Sequence, residues 1–167
     1  MKNTKSLFIG GIQSGKSFNA EQYILNISKN KPMYLATTEF IDKGMRKKIA
    51  LHKKQRANRF KTKEVPLKLF NVIKKTNKPV LVECISVWLN NVLYHGFKHD
   101  DIYKELSKIL SLNKTIVFVL NDVSASVISD NKLAREFVDI SGKISQQISS
   151  SCDEVYHVIA GISTKIK

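Results

Sequence analysis

The chain has 167 residues, of which 43% are apolar and 25% charged, and a formal net charge of +14. That length suits one domain with a buried core over residues 1–167, and that composition excludes a disordered or fibrous chain. The longest strongly apolar run, residues 115–120, is far too short to cross a bilayer, so no membrane span is expected.

Residues 7–9 predict a first strand, and residues 16–28 predict a helix carrying Phe18, Ala20, Tyr23, Ile24 and Ile27 at helical spacing. Between them lies Gly10-Gly11-Ile12-Gln13-Ser14-Gly15-Lys16-Ser17. This is the G-x-x-x-x-G-K-[ST] pattern of a loop that cradles phosphates. Glycines let successive N–H groups turn into one concavity, and the helix that follows adds its positive end. Lys16 has the reach for β- and γ-phosphates, and Ser17 has the hydroxyl for Mg²⁺.

After the stop signal Asn30-Lys31-Pro32, residues 33–36 predict a second strand, which ends at Thr37-Thr38-Glu39. Strand, helix and strand in so short a space imply a parallel pair. Residues 42–55 predict a basic helix with Met45, Ile49 and His52 along one side. Residues 60–64 are short and extended, and residues 66–75 predict a helix opened by Pro66. A third strand is expected over 79–83 and a helix over 87–94 that Gly96 stops. Then come a helix over 100–112, a central strand over 115–120 and a polar loop over 124–130. A long helix over 131–150, with Ser129 or Asp130 as its cap, leads to a strand over 154–160. Gly161 turns the chain into a last strand over 162–166, antiparallel to the one before it. The expected fold is a three-layer α/β domain of the phosphate-loop NTPase kind, with a mostly parallel sheet and an antiparallel C-terminal strand.

Several positions carry chemistry. A phosphate loop needs an acid for Mg²⁺ at the carboxyl end of a neighbouring strand, and both Glu83 and Asp122 qualify. Each also suits a plain loop carboxylate; Glu83 is favoured because it abuts its strand. His52 shares a helix face with Lys48 and Arg56, and Lys53 and Lys54 follow it. Surrounding cations disfavour imidazolium, so the ring is expected neutral and nucleophilic, in a setting that stabilises an arriving phosphate. A partly buried helix histidine is the plainer alternative. Thr37, Thr38 and Glu39 sit at the edge where such sheets bind ligands, as base or ribose contacts or as a simple polar loop. Glu64 offers a pure acceptor pair for a guanine, or a surface carboxylate.

The +14 charge invites a nucleic-acid reading, but no aromatic-interleaved basic segment accompanies it, so an anionic small substrate is favoured. Cys84 and Cys152 lack metal-site spacing, and Cys84 falls in an apolar run, which points to reduced thiols and a cytoplasmic setting. The first apolar run breaks at Gly10-Gly11, so no secretory signal is expected.

Over nearly its whole length the chain resembles the bifunctional adenosylcobinamide kinase / adenosylcobinamide-phosphate guanylyltransferase family of cobalamin biosynthesis. Besides the phosphate loop, the resemblance rests on Ile49-Ala50-Leu51-His52-Lys53-Lys54-Gln55-Arg56, on Phe60-Lys61-Thr62-Lys63-Glu64, on Leu81-Val82-Glu83-Cys84-Ile85 and on the block Leu133 to Gly142. It implies two reactions. One moves a γ-phosphoryl from ATP or GTP to adenosylcobinamide, and the other moves GMP from GTP to the resulting phosphate. It further implies that His52 carries GMP, that Lys16 is catalytic and that Gly10 to Ser17 hold the triphosphate. Thr37, Thr38, Glu39, Lys53, Lys54, Gln55, Arg56, Glu64 and Glu83 fall where the family contacts GTP, with Ser17 and Glu83 at Mg²⁺. A homotrimer is implied as well. The chain departs from the family pattern at Ala57, at Phe60 and along the loop Asn121 to Ser129. The rival readings are a phosphate-loop kinase for another small hydroxyl substrate and a basic nucleotide- or nucleic-acid-binding module.

Overall fold

A computed structural model of the chain describes residues 3–39, 58–123 and 130–167. Strand β1 (Lys5–Gly10) leads through the glycine-rich loop into helix α1 (Lys16–Ile27), and β2 (Met33–Ala36) follows. Next come β3 (Lys61–Glu64), α2 (Leu69–Lys75), β4 (Val80–Glu83), α3 (Ile85–Tyr94), α4 (His99–Leu110) and β5 (Ile116–Asn121). The chain ends with α5 (Lys132–Ser151), β6 (Glu154–Ile159) and β7 (Ile162–Lys165).

The strands form one seven-stranded sheet in the order β3-β2-β4-β5-β1-β6-β7. Every neighbouring pair is parallel except β6 and β7, as expected from the alternation of elements. Strand pleating sorts the core into two. Phe8, Tyr34, Leu81, Val117, Val119 and Val158 face α1, where they meet Ala20 and Ile24. Leu7, Leu35, Val80, Val82, Ile116 and Phe118 face the larger layer of α2 to α5. The three central strands read as near-continuous apolar runs because both of their faces are covered.

Four local expectations shift. Phe18 is 65% exposed, and Ala20 and Ile24 carry the packed stripe of α1. Helix α2 starts at Leu69 and not at Pro66, because the preceding carbonyls are engaged elsewhere. Leu67 O accepts Trp88 Nε1 at 2.6 Å, and Pro66 O accepts Asn91 Nδ2 at 3.1 Å. The cap of α5 is Asn131, whose side chain accepts from the N–H groups of Leu133 and Ala134. Helix α4 ends at Leu110, two residues early. The basic helix over 42–55 and most of the loop over 124–130 lie outside the described residues.

Candidate active site

The phosphate loop is shaped by its glycines and by what lies beneath it. Gly10 ends β1 so close to β6 that a Cβ there would stand 2.3 Å from Val158 O and 2.7 Å from Ser14 Oγ. Only glycine fits. Gly15 adopts φ of 90°, a left-handed conformation that an L side chain resists, and it is the N-cap residue of α1. Gln13 also has positive φ, at 58°, and supports the tight bend. Gly11, Ile12 and Gln13 form the exposed crest of the loop. Helix α1 has no side-chain cap and no acidic residue in its first turn, so its N–H groups and positive end remain available to an anion.

Lys16 is almost fully buried, and its Nζ donates to Gly11 O at 3.0 Å, folding the side chain back over the loop. An ammonium has three donors, so this contact leaves two for phosphate oxygens. Ser17 Oγ donates to Glu83 Oε1 at 2.7 Å. Glu83 is the last residue of β4, and pleating turns it to the α1 face. Two hard oxygens thus sit side by side at the mouth of the loop, a donor set that suits Mg²⁺. Asp122, the other candidate acid, lies one residue past β5, and its backbone N–H donates to Gly10 O at 2.9 Å. Among the described residues no cluster of three or more His, Cys, Asp or Glu side chains is assembled for a metal.

The hairpin turn between β6 and β7 supports the loop from below, which sequence patterns did not reveal. Ala160 and Gly161 both take positive φ, as a two-residue hairpin turn requires. Gly161 N donates to Ser14 O at 2.8 Å, and Asn19 Nδ2 bridges Gly15 O and Gly161 O. The signal was present in the sequence only as the glycine that turns the last hairpin.

The neighbouring edge is knit by Thr37. It is fully buried. Its N–H donates to Glu83 O at 3.0 Å, and its Oγ1 accepts from Cys84 N and donates to Cys84 O, each at 2.9 Å. Thr37 therefore clamps β2 to the end of β4 and fixes Glu83 opposite Ser17. Asn91 Nδ2 completes the clamp by donating to Thr37 O at 2.6 Å. Cys84 beside it is a free buried thiol, whose pKa is raised by burial and then by the Glu83 charge. A free, buried thiol there agrees with the expectation from its apolar run. Thr38 and Glu39 are half-buried on the same edge, and Glu39 Oε1 and Oε2 lie 3.0 and 3.1 Å from His95 Nε2. That partner for Glu39 was not foreseen, because the two residues are far apart in sequence. Glu64 is exposed at the end of β3, in register with Ala36, which is itself in register with Glu83. His52, Lys53, Lys54, Gln55 and Arg56 lie outside the described residues.

A doubly covered parallel sheet with a glycine-lined anion bed at the carboxyl end of β1 defines a phosphate-loop NTPase-like protein. Likeness to solved structures agrees at the level of fold. A prototypical ATPase from the type III secretion system of pathogenic bacteria superposes with a TM-score of 0.55 at 12% identity, covering 98% of this chain and 57% of that one. Sequence comparison is more particular. The profile of the family described as cobinamide kinase / cobinamide phosphate guanyltransferase matches residues 6–166. The bifunctional adenosylcobalamin biosynthesis protein CobU of Escherichia coli is 32% identical, over 96% of this chain and 98% of its own length. The corresponding protein CobP of Pseudomonas aeruginosa is 30% identical, over 98% and 97%. The chain belongs to the cobinamide kinase / cobinamide phosphate guanyltransferase family and is an enzyme of that kind.

Proposed function

We propose that one triphosphate bed, Gly10 to Ser17, serves two reactions in turn: phosphorylation of adenosylcobinamide with ATP or GTP, and transfer of GMP from GTP to the product. The observation that carries the nucleotide side is the 2.7 Å contact between Ser17 Oγ and Glu83 Oε1 beside the buried Lys16. Family membership supplies the corrinoid side.

In the kinase step the protein positions and neutralises. The loop N–H groups and the α1 N-terminus hold the β- and γ-phosphates. Lys16 follows the charge that develops on the transferring group. Ser17 and Glu83 are the residues that would hold Mg²⁺, which supplies charge neutralisation at the phosphate oxygens.

In the transfer step neutral His52 attacks the α-phosphorus of GTP. A P–N bond forms, the bond to the β-phosphate oxygen breaks, and pyrophosphate leaves with Lys16 stabilising it. An oxygen of adenosylcobinamide phosphate then attacks the same phosphorus, and the P–N bond breaks to return His52. Two displacements replace one difficult step. Thr38, Glu39 and Glu64 on the carboxyl edge, with Lys53, Lys54, Gln55 and Arg56 beside His52, are proposed as nucleotide contacts. Thr37 acts by holding that edge.

The decisive measurement is incubation with GTP labelled at the α-phosphate. Wild-type protein is expected to acquire an acid-labile, base-stable label that His52→Asn abolishes while cobinamide phosphorylation persists. A label that survives His52→Asn removes histidine from the mechanism. Reduced, buried Cys84 and Cys152 favour a cytoplasmic enzyme, and the family resemblance favours a homotrimer.

A further inference from the structure

The molecule has a further concavity lined by none of the described residues proposed to hold the nucleotide. It is a cavity of about 1290 Å³ between the C-terminal half of α3, the start of α4, the start of α5 and Val123 just past β5. Ligand cavities for drug-sized molecules run from about 300 to 1,000 Å³, so this one suits something larger. Its apolar lining comes from Leu93, Tyr94, Phe97, Val123, Leu133 and Phe137. Tyr94 and Leu133 are 72% and 74% exposed, large apolar surfaces whose exposure packing within the chain does not explain. Its polar lining comes from Asn90, Lys98, Asp100, Asn131 and the His99–Glu136 pair, whose Nε2 and Oε1 lie 2.9 Å apart.

Position matters as much as shape. Helix α3 is tied across the carboxyl edge of the sheet through Asn91 to Thr37 and through His95 to Glu39. The cavity therefore opens on the edge where sheets of this kind bind ligands. Val123 in its wall is two residues past Asn121, which pairs with Gly10, the first residue of the phosphate loop. One wall of the cavity thus continues from the strand end that pairs with the start of the phosphate loop.

We propose that this cavity is the seat of the corrinoid ring of the acceptor, an assignment that rests on the proposed function. A corrin macrocycle is broad, has apolar faces and carries amide arms around its rim. The faces match Leu93, Tyr94, Phe97, Leu133 and Phe137, and the amides match the carboxamide of Asn90. The ring anchors here while its hydroxyl-bearing arm reaches over β5 to the phosphate loop.

The test uses Leu133→Glu and Tyr94→Ser, both at exposed positions, so folding is retained and is checked by thermal melting. Tyr94→Phe is the conservative control. Equilibrium dialysis with cobinamide, followed by its visible absorbance, is read alongside steady-state kinetics. Each of the first two variants is expected to raise Kd and KM for cobinamide about tenfold, the scale of one lost apolar contact. Their Kd for GTP is expected to match wild type, and Tyr94→Phe to stay within twofold in every measure. Variants that bind cobinamide like a wild type that turns it over overturn the cavity assignment alone. Wild-type protein that binds GTP yet neither binds nor phosphorylates cobinamide overturns the functional reading, and the assignment falls with it.

Discussion

At the scale of single residues, the phosphate bed depends on a few atoms that cannot be exchanged. Lys16 is held back over the loop by Gly11 O and is nearly buried, so its charge acts in a setting less screened than the surface. Lys16→Ala is expected to lower kcat of both reactions by about a hundredfold or more, the usual cost of losing one transition-state donor. Loss of only the kinase activity would mean that the two reactions do not share the bed. Gly10 is constrained differently. Gly10→Ala drives a methyl group against Val158 O, a backbone atom that moves only if β6 moves. The expected cost is about 1–3 kcal/mol of stability, read from denaturant midpoints, together with weakened GTP binding. Gly11 has open space around its Cα, so Gly11→Ala is the matched variant that leaves stability near wild type.

At the scale of elements, α1 is pinned to the end of the sheet by a polar knot. Tyr23 Oη donates to Glu154 Oε2 at 2.6 Å and accepts from Ser6 Oγ at 2.9 Å. Tyr156 Oη donates to the same carboxylate at 3.0 Å, and Lys165 Nζ from β7 donates to its other oxygen at 2.6 Å. The Tyr156 ring stacks on Phe8 at 4.6 Å. Burial first, and the hydrogen bond to Glu154 second, push the Tyr23 pKa up from 10.0 to about 12, and Tyr156 follows for the same reasons. The folded state thus favours the protonated phenols. Their contribution to stability is complete below pH 10, where both states hold the proton, and is lost as pH rises from 10 to about 12. Urea midpoints measured between pH 9 and pH 12 are expected to fall over that window. The fall should be shallower in Tyr23→Phe, and an identical profile would remove Tyr23 as its source. On the acid side Lys165, then the Tyr23 hydroxyl, lowers the Glu154 pKa below 4.5. That contribution is present above 4.5 and disappears on further acidification.

At the scale of the whole molecule, one sheet organises both concavities. The anion bed lies on the α1 side of its carboxyl edge, and the apolar cavity lies on the side of α3 to α5. A donor nucleotide and a bulky acceptor can thus approach one edge from opposite faces. The large positive charge draws anionic substrates toward the protein, so KM for GTP is expected to rise with ionic strength. Among the described residues no helix is long and apolar enough to cross a membrane. The assembly state has a direct test: light scattering behind size exclusion is expected to give three times the chain mass of 19.0 kDa. A monomer that retains both activities would remove the trimer from the mechanism.

Much of this was written locally in the chain. The phosphate loop, the alternation of strands and helices and the antiparallel last hairpin follow from short-range pattern, because glycine chemistry and side-chain period act over a few residues. Other features were decided only by packing across long stretches of sequence. Thr37 is a buried clamp because β2 and β4 become neighbours. Glu39 meets His95 because α3 lies across the carboxyl edge. Pro66 and Leu67 stay out of α2 because Asn91 and Trp88 claim their carbonyls. The support of the phosphate loop by Gly161, and the apolar cavity beside it, arise only when the ends of the chain and three helices are brought to one sheet. Contacts between distant segments are set by the global arrangement, and no local run of residues encodes them by itself.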